Sequence, residues 1–357
     1  MQLPIPNFLK SQKKPSTADP NIITRESFRK YRGPRPKGTT EIFRVNVGKY
    51  EKEVLKGEPL FTREHLELYR DIVEWKLESK DIHHMIYWSA LRTSWLCHKG
   101  LSYEEAMKVH LRAPLEWAGV HDINKVRPVL QRTVEQWNAC SVKADLVDML
   151  LKCAVKMPRV EKIVCIGLGS FARRYGSCYC AQSKVKINII QQHLLAITIA
   201  ETLEEYYIQQ GTAREDLEQI PIILQDPGYI DMDKTLLTEL SPRFSVVEDP
   251  EGFLAIDETS FVIHIACSAP VAEVLADLTA AGDCGKGPAG ILGDEMVTAK
   301  PAQWATGIDF ETPRVLEFLK GYEMRDFDDV TISKEDLEGI WDESPWFWWL
   351  QLRFRKR

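Results

Sequence analysis

A glycine-rich turn is the first stretch whose residue types and spacing could do chemistry. Residues 162–177 read KIVCIGLGSFARRYGS, where an apolar, β-favouring run stops at Gly167. The letters GLGSFA fit the G-x-G-x-x-G/A spacing of dinucleotide-binding turns, in which the glycines permit a tight turn and a close approach of phosphate. We therefore predict that Gly167, Gly169, Ser170 and Phe171 bind a nucleotide-like ligand. The alternative is a turn that only packs a strand closely against a loop.

Chemically active residues also follow the other apolar runs of this region. Asp226 follows IPIILQ, Asp249 follows FSVVE, Cys267 follows SFVIHIA, and Asp294 closes AGILGD. Ligands of open α/β sheets bind beyond the carboxyl ends of the strands, so these residues are predicted to converge on one crevice. Asp226 would end the second strand, where a ribose-binding carboxylate belongs. Each residue taken alone is also an ordinary turn or cap residue.

Two features depart from the dinucleotide-binding pattern. The next clear helix begins only near Lys186, so the glycines could open a loop instead of a helix. The acidic residue expected about 20 positions after the glycines is absent, because Asp226 comes much later in the chain. The turn could therefore hold a ligand in a way that differs from the dinucleotide-binding folds.

The elements that must position these residues alternate between short β-branched runs and helical patterns over 158–296. This alternation predicts an α/β, Rossmann-like, mostly parallel sheet with helices on both faces, including a helix from about 186 to 209. The eleven residues between Glu248 and Ser260 are short for a parallel crossover. Either an irregular crossover or an antiparallel pair is compatible with them.

The segments before and after this region differ from it in composition and in predicted secondary structure. Residues 1–40 are basic and proline-rich, and are predicted to be disordered. Residues 60–156 read as an all-helical segment, with helices over 82–96 and from Ser102. Residues 297–357 form a C-terminal extension ending in the aromatic and basic tail SPWFWWLQLRFRKR. We expect its tryptophans to pack onto the domain, because their exposure would invite association.

Charge and composition exclude several classes of protein. The net charge of −6 combines +7 over residues 1–40 and +4 over the last seven residues with −17 elsewhere. An acidic body argues against general nucleic-acid binding, which needs a basic face. No apolar run has the roughly 20 residues of a membrane helix, and no secretory signal is evident. The eight cysteines are expected to be reduced, and the expected location is cytoplasmic, nuclear or both.

Other motifs give no strong site. Cys178 and Cys180 lack the two-residue spacer of structural zinc sites, and the adjacent pair His83 and His84 would face different directions on a helix, so no metal site is predicted. The glycine-rich residues 282–290 lack the Lys-Ser/Thr pair of a phosphate-binding loop, and are predicted to be a connection before the last strand.

The motifs CIGLGSF, QHLLA, QDPGY, SFVIHIAC and ILGDEM occur in an order and spacing that resemble the sensitivity-to-red-light-reduced (SRR-like) domain family, in a fungal-type member. The resemblance implies a Rossmann-like domain in regulatory proteins linked to light signalling, microtubules or haem metabolism, with no agreed catalytic residue. It also aligns Gln192 with a helix glutamine. The family histidine corresponds to Ala266, while His264 lies two residues earlier, and Asp294 replaces a frequent asparagine.

Three functions remain open from the sequence. The first is a regulatory protein that binds a small, nucleotide-like ligand, with S-adenosylmethionine or NAD(P) as leading candidates. The second is a methyl- or hydride-transfer enzyme, for example one of fungal specialised metabolism; methyl transfer would use Asp226, and hydride transfer would need His264 or Cys267 as proton donor. The third is a non-catalytic module whose helical segment binds a protein partner.

Overall fold

The fold is built around one seven-stranded sheet. A computed structural model of the protein describes residues 22–23, 52, 56–67, 122–171, 185–212, 219–226, 228–267, 269–296, 312–327, 330, 332–333 and 346–357. The strands of the sheet are β1 Lys162–Ile166, β2 Ile222–Gln225, β3 Phe244–Val247, β4 Ser260–His264, β5 Gly290–Asp294, β6 Tyr322–Asp326 and β7 Leu350–Arg355.

The strand order across the sheet is β3-β2-β1-β4-β5-β7-β6. The first five positions pair in parallel, and β7 is antiparallel to both β5 and β6. The predicted α/β, mostly parallel sheet is confirmed, and it extends past residue 296 into the two last strands. Chain connections leave β1 in one direction and β4 in the other, so the carboxyl ends of β1 and β4 form a topological switch point.

The short connection between β3 and β4 is a compact parallel crossover. It contains one helical turn, α5 Glu251–Leu254, and carries the chain from the sheet edge to the far side of β1. Gly252 makes this close packing possible, because a β-carbon there would lie 2.6 Å from the Gln225 Oε1 atom of β2. The crossover is therefore irregular and parallel, one of the two arrangements that the sequence allowed.

Helices cover both faces of the sheet. One face packs against the helices that surround the long buried helix α3 (Ile187–Gln209), and Trp137 of α1 (Ile123–Ala139) donates a 3.0 Å hydrogen bond to Thr198 of α3. The other face packs against α5, α6 (Val271–Ala280) and residues 60–66. The remaining helices are α1 Ile123–Ala139, α2 Ser141–Ala154, α3 Ile187–Gln209, α4 Asp231–Leu240, α6 Val271–Ala280 and α7 Pro313–Leu319.

Residues 60–66 fill a gap in the second helical layer. Phe61 and Leu66 are fully buried in the same cluster as Val164 of β1 and Phe253 of α5. The carboxylate of Asp277 in α6 accepts hydrogen bonds from the backbone amides of Leu60, at 2.7 Å, and Phe61, at 3.0 Å. This segment is therefore part of the folded domain, although over two hundred residues separate it from α6.

The aromatic tail also packs onto the domain, as predicted. Trp346–Trp349 form a 3-10 helix that leads into β7, and Trp348 is fully buried with its indole N–H donating to the Val330 carbonyl oxygen. Within the stretch expected to be disordered, Ile22–Ile23 pair with Ile332–Ser333 as a short antiparallel ladder.

Several predicted features lie outside the described residues, namely the helices over 82–96 and from Ser102, the pairs His83-His84 and Cys178-Cys180, and Ala172. In the part of the chain that the structure describes, no helix combines the length and apolarity needed to cross a bilayer.

Replacing Phe61 tests whether residues 60–66 belong to the cooperative fold. We expect Phe61→Ala to lower the free energy of unfolding by about 3–5 kcal/mol, because it leaves a cavity in a packed core. Leu316→Ala, at a side chain that is 48% exposed, should change it by less than about 0.5 kcal/mol. Denaturant unfolding measures both, and equal stabilities of the two variants would contradict the assignment.

Candidate functional site

A cavity of about 310 Å³ opens at the carboxyl ends of β1, β2 and β4. It lies at the topological switch point, where open α/β sheets bind their ligands. Four segments line it: the turn after β1, the start of α3, the ends of β2 and β3 with α5, and the loop after β4. The lining residues are Ile166, Gly167, Leu168, Gly169, Lys186, Asn188, Ile189, Gln192, Gln225, Asp226, Asp249, Phe253, Ile265, Ala266, Cys267 and Ala269.

The structure brings most of the predicted site residues together here. Gly167, Gly169, Asp226, Asp249 and Cys267 all line the cavity. The remaining predicted residues do not line the cavity, and their polar groups form hydrogen bonds within the protein. They are Ser170, Phe171 and Asp294.

The turn after β1 needs both of its glycines. Gly167 and Gly169 have left-handed backbones, with φ of +73° and +89°. A β-carbon on Gly167 would lie 2.4 Å from the Cys267 Sγ atom, so the turn after β1 and the loop after β4 approach each other as only glycine allows. The Gly167 amide also extends the β1–β2 ladder by donating to the Gln225 carbonyl oxygen at 2.8 Å.

A buried carboxylate, that of Asp226, holds this turn against β2. Its Oδ2 atom accepts a hydrogen bond from the Gly169 amide at 2.7 Å, and its Oδ1 atom accepts one from the Gly228 amide at 2.6 Å. Asp226 thus lies where a ribose-binding carboxylate was predicted, but it also positions the glycine turn. An ionised carboxylate has about four acceptor sites, so it can bind a ligand hydroxyl as well.

A second buried carboxylate, that of Asp233 in α4, holds the residues that follow. It accepts hydrogen bonds from the Ser170 hydroxyl at 2.7 Å, the Phe171 amide at 2.9 Å and the Ile230 amide at 2.9 Å. Burial raises the pKa of the Asp233 carboxyl, and these three donors act in the opposite direction. Ser170 and Phe171, each about 1% exposed, therefore anchor the turn instead of facing a ligand.

His193 of α3 supports the same wall from behind. Its Nδ1 atom is 2.8 Å from the Ile189 carbonyl oxygen, and its Nε2 atom is 2.7 Å from the Tyr229 hydroxyl. The carbonyl oxygen can only accept, so Nδ1 carries the proton and Nε2 accepts from Tyr229. Burial lowers the pKa of His193 to about 4, and Phe171 packs edge-on against the ring at 4.9 Å. The imidazole is therefore a neutral structural link.

The loop after β4 contains a strained residue. Ala266 has φ of +51°, a left-handed conformation that few residues other than glycine adopt. Its amide donates a 2.6 Å hydrogen bond to the Asp294 carboxylate, so Asp294 contacts this loop without lining the cavity. The Cys267 thiol lies next in the chain, partly exposed, beside Gly167. Asp294 is thus a positioning residue for the wall that presents Cys267.

His264 does not take over the place of the family histidine. It is 2% exposed in β4 and is not among the residues that line the cavity. It packs on Gly293 of β5, where a β-carbon would lie 2.3 Å from its Nε2 atom. Burial and, to a smaller extent, the charge of Arg353 lower its pKa to about 3. A neutral, buried imidazole in this place is a poor proton donor to the cavity.

Sequence reasoning missed several lining residues. Gln225, the last residue of β2, bridges three segments: its Oε1 atom accepts from the Gly252 amide at 2.6 Å, and its Nε2 atom donates to Asp249 at 3.1 Å. A polar residue ending a buried strand was the available signal. Lys186 and Asn188 come from the start of α3, and only long-range folding places them here. The described residues contain no group of three or more potential metal ligands.

Acidification should destabilise the fold through His193. The unfolded imidazole protonates below about pH 6.5, whereas the folded one stays neutral down to about pH 4, so the stability present above pH 6.5 is lost as the pH falls through this window. The loss should be about 1.4 kcal/mol per pH unit for this residue. Denaturant unfolding at several pH values should show that slope reduced in His193→Gln, and an unchanged slope would contradict the assignment.

The comparisons with known proteins agree with the resemblance in the sequence. A sequence model of the SRR1 domain matches residues 130–335, more than half of the chain. No curated protein matches, and no solved structure matches. The fungal-type subclass stays a prediction. The matched region begins within α1, passes through the glycine turn, Asp226 and Cys267, and ends after β6. The chain therefore belongs to the SRR1 domain family.

Proposed function

We propose that this protein is a regulatory protein of the cytoplasm, the nucleus or both, which binds a small nucleoside-like ligand in the cavity. The SRR1 domain is a regulatory domain whose biochemical activity is undefined. The observation that carries the proposal is the position of the cavity, at the switch point of the sheet, with a glycine turn on one side and a carboxylate ending β2 on the other.

The walls offer complementary groups for such a ligand. Asp226 can accept hydrogen bonds from ribose hydroxyls, and the amide side chains of Asn188 and Gln192 can donate to and accept from the edge of a base. Ile189, which is partly exposed, and Ala266, which is exposed, supply apolar surface for a ring. A few polar groups on a largely apolar wall is the usual composition of a small-molecule site.

Methyl transfer is the second candidate function, and Asp226 is the observation that favours it, because such an enzyme needs an acidic residue at the end of the second strand. Hydride transfer has less support. It requires a proton donor in the cavity; of the two predicted donors, His264 is buried in β4 outside the cavity, and only the Cys267 thiol lines it. S-adenosylmethionine and NAD(P) remain the ligands to test first.

Gly169→Asp tests the cavity as a binding site. A β-carbon there would lie 3.0 Å from Ile189 Cδ1, and the rest of the side chain would occupy space in the cavity. We expect loss of binding of adenosine, S-adenosylmethionine or NAD⁺, whichever the unchanged protein binds in calorimetry. Gly282→Asp is the matched control, because Gly282 has a similar φ of +81° but nothing within 4 Å of its β-carbon.

The two variants carry similar backbone strain, so their comparison separates binding from folding. Circular dichroism should show native helix content in both. Retained affinity in Gly169→Asp would contradict the cavity as the site. Loss of affinity in both variants would also contradict it. Gly282 lies in the loop between α6 and β5, at the amino ends of the strands, whereas the cavity lies at their carboxyl ends.

Cys267 provides an independent readout. Its thiol lines the cavity and is partly exposed, so a ligand in the cavity should slow its alkylation by iodoacetamide several-fold. Mass spectrometry of the Cys267 peptide measures the rate with and without the ligand. Cys284 is the control, because it is buried away from the cavity and burial raises the pKa of its thiol. Equal alkylation of Cys267 in both conditions would argue against occupancy.

A further inference from the structure

We infer that the cavity selects a cationic nucleoside, of the adenosylsulfonium class, and rejects nucleotides that carry phosphate next to the glycine turn. The inference rests on the proposed function, since it names the ligand class of the same cavity. It follows from two observations: amides of the glycine turn already donate hydrogen bonds to acceptors within the protein, and the charged side chains that line the cavity are mostly negative.

Three backbone amides of the glycine turn donate hydrogen bonds within the protein. A phosphate-binding turn presents its backbone amides to the anion. Here the amides of Gly169 and Phe171 donate to the carboxylates of Asp226 and Asp233, and the amide of Gly167 donates to a backbone carbonyl oxygen. A phosphate at this turn would have to displace a carboxylate from Gly169 and remain next to it.

The start of α3 is the other place where an anion could bind, and the amides of its third and fourth residues are also engaged. The Ile189 amide donates to the Asn188 side chain at 3.0 Å and to the Lys186 carbonyl oxygen at 3.2 Å. The Ile190 amide donates to the same carbonyl oxygen at 3.4 Å. These short-range bonds reduce the donors that the helix end could offer to a pyrophosphate.

The charged side chains around the cavity favour a cation. Among the described lining residues they are Asp226, Asp249 and Lys186, two carboxylates against one ammonium. Asp249 also accepts a hydrogen bond from Gln225, which fixes its carboxylate at the cavity wall. A positive group on the ligand is attracted to this wall, while a phosphate is repelled by it.

S-adenosylmethionine fits these constraints and has a close uncharged analogue. Its ribose can bond to Asp226, and its sulfonium carries a positive charge on the atom that bears the transferable methyl group. S-adenosylhomocysteine keeps the nucleoside and the amino-acid tail but has a neutral sulfur. ATP and NAD⁺ keep the adenosine but add phosphates. The four compounds, with adenosine itself, therefore separate the charge of the ligand from its nucleoside.

Isothermal titration calorimetry of the full chain with these five compounds, at one ionic strength, tests the inference. We expect S-adenosylmethionine to bind about tenfold more tightly than S-adenosylhomocysteine, the effect of one partly screened charge pair. ATP and NAD⁺ should bind at least about tenfold more weakly than adenosine.

The failures are distinguishable. If ATP or NAD⁺ binds more tightly than adenosine, or if the two sulfur compounds bind equally, the charge inference is overturned while the nucleoside-binding function stands. If none of the five compounds binds, the proposed function itself fails.

Two single substitutions of opposite sign sharpen the test. Asp249→Asn removes a negative charge and keeps an oxygen acceptor for Gln225, so the preference for the sulfonium should fall. Lys186→Gln removes the positive charge, so the preference should rise. Asp148→Asn, at an exposed carboxylate paired with Lys152 on α2, should leave the ratio of the two affinities unchanged. A ratio that does not move in either cavity variant would overturn the charge inference, even if one variant folds poorly.

Discussion

Two buried carboxylates hold the turn after β1, and the rest of the candidate site depends on them. Asp226 binds the amide of Gly169 and Asp233 binds the amide of Phe171, so β2 and α4 determine where the glycine turn lies. Gly167 of this turn also contacts Cys267 in the loop after β4. Removing either acceptor would leave a buried amide without its partner, which typically costs about 1–3 kcal/mol. The shape of the cavity is therefore a property of several strands at once.

The sheet brings these groups together because its strands end at one edge. The parallel strands β1 to β4 deliver the glycine turn, Asp226, Asp249 and Cys267 to that edge. The antiparallel β7 continues the sheet beyond β5 and distinguishes it from the all-parallel order of dinucleotide-binding domains. Its inward-facing apolar residues, Leu350, Leu352 and Phe354, complete the core on the α3 side.

Local signals predicted much of this arrangement. The β-branched runs predicted the parallel strands, and the spacing of Gly167 and Gly169 predicted the turn, because strands and turns both depend on residues that are neighbours in the chain. The alternation of Leu350, Leu352 and Phe354 also carries a strand signal, but Arg353 and the basic residues that follow Phe354 are equally typical of an aromatic and basic tail. Asp233 could not be found from sequence, since its bonds to Ser170 and Phe171 join residues more than 60 positions apart. The same holds for Lys186, which a long intervening segment separates from the glycines.

The bonds from Asp277 to residues 60 and 61 also define the topology of the chain. Residues 60–66 and α1 are both attached to the domain, one on each face of the sheet. Arg63 bonds to Asp283 and Arg127 bonds to Glu239, which places both attachments towards the amino ends of the strands, away from the cavity. The contacts that hold residues 60–66 and α1 on the domain are therefore spatially separate from the cavity walls, so these two parts of the fold can change in sequence independently of each other.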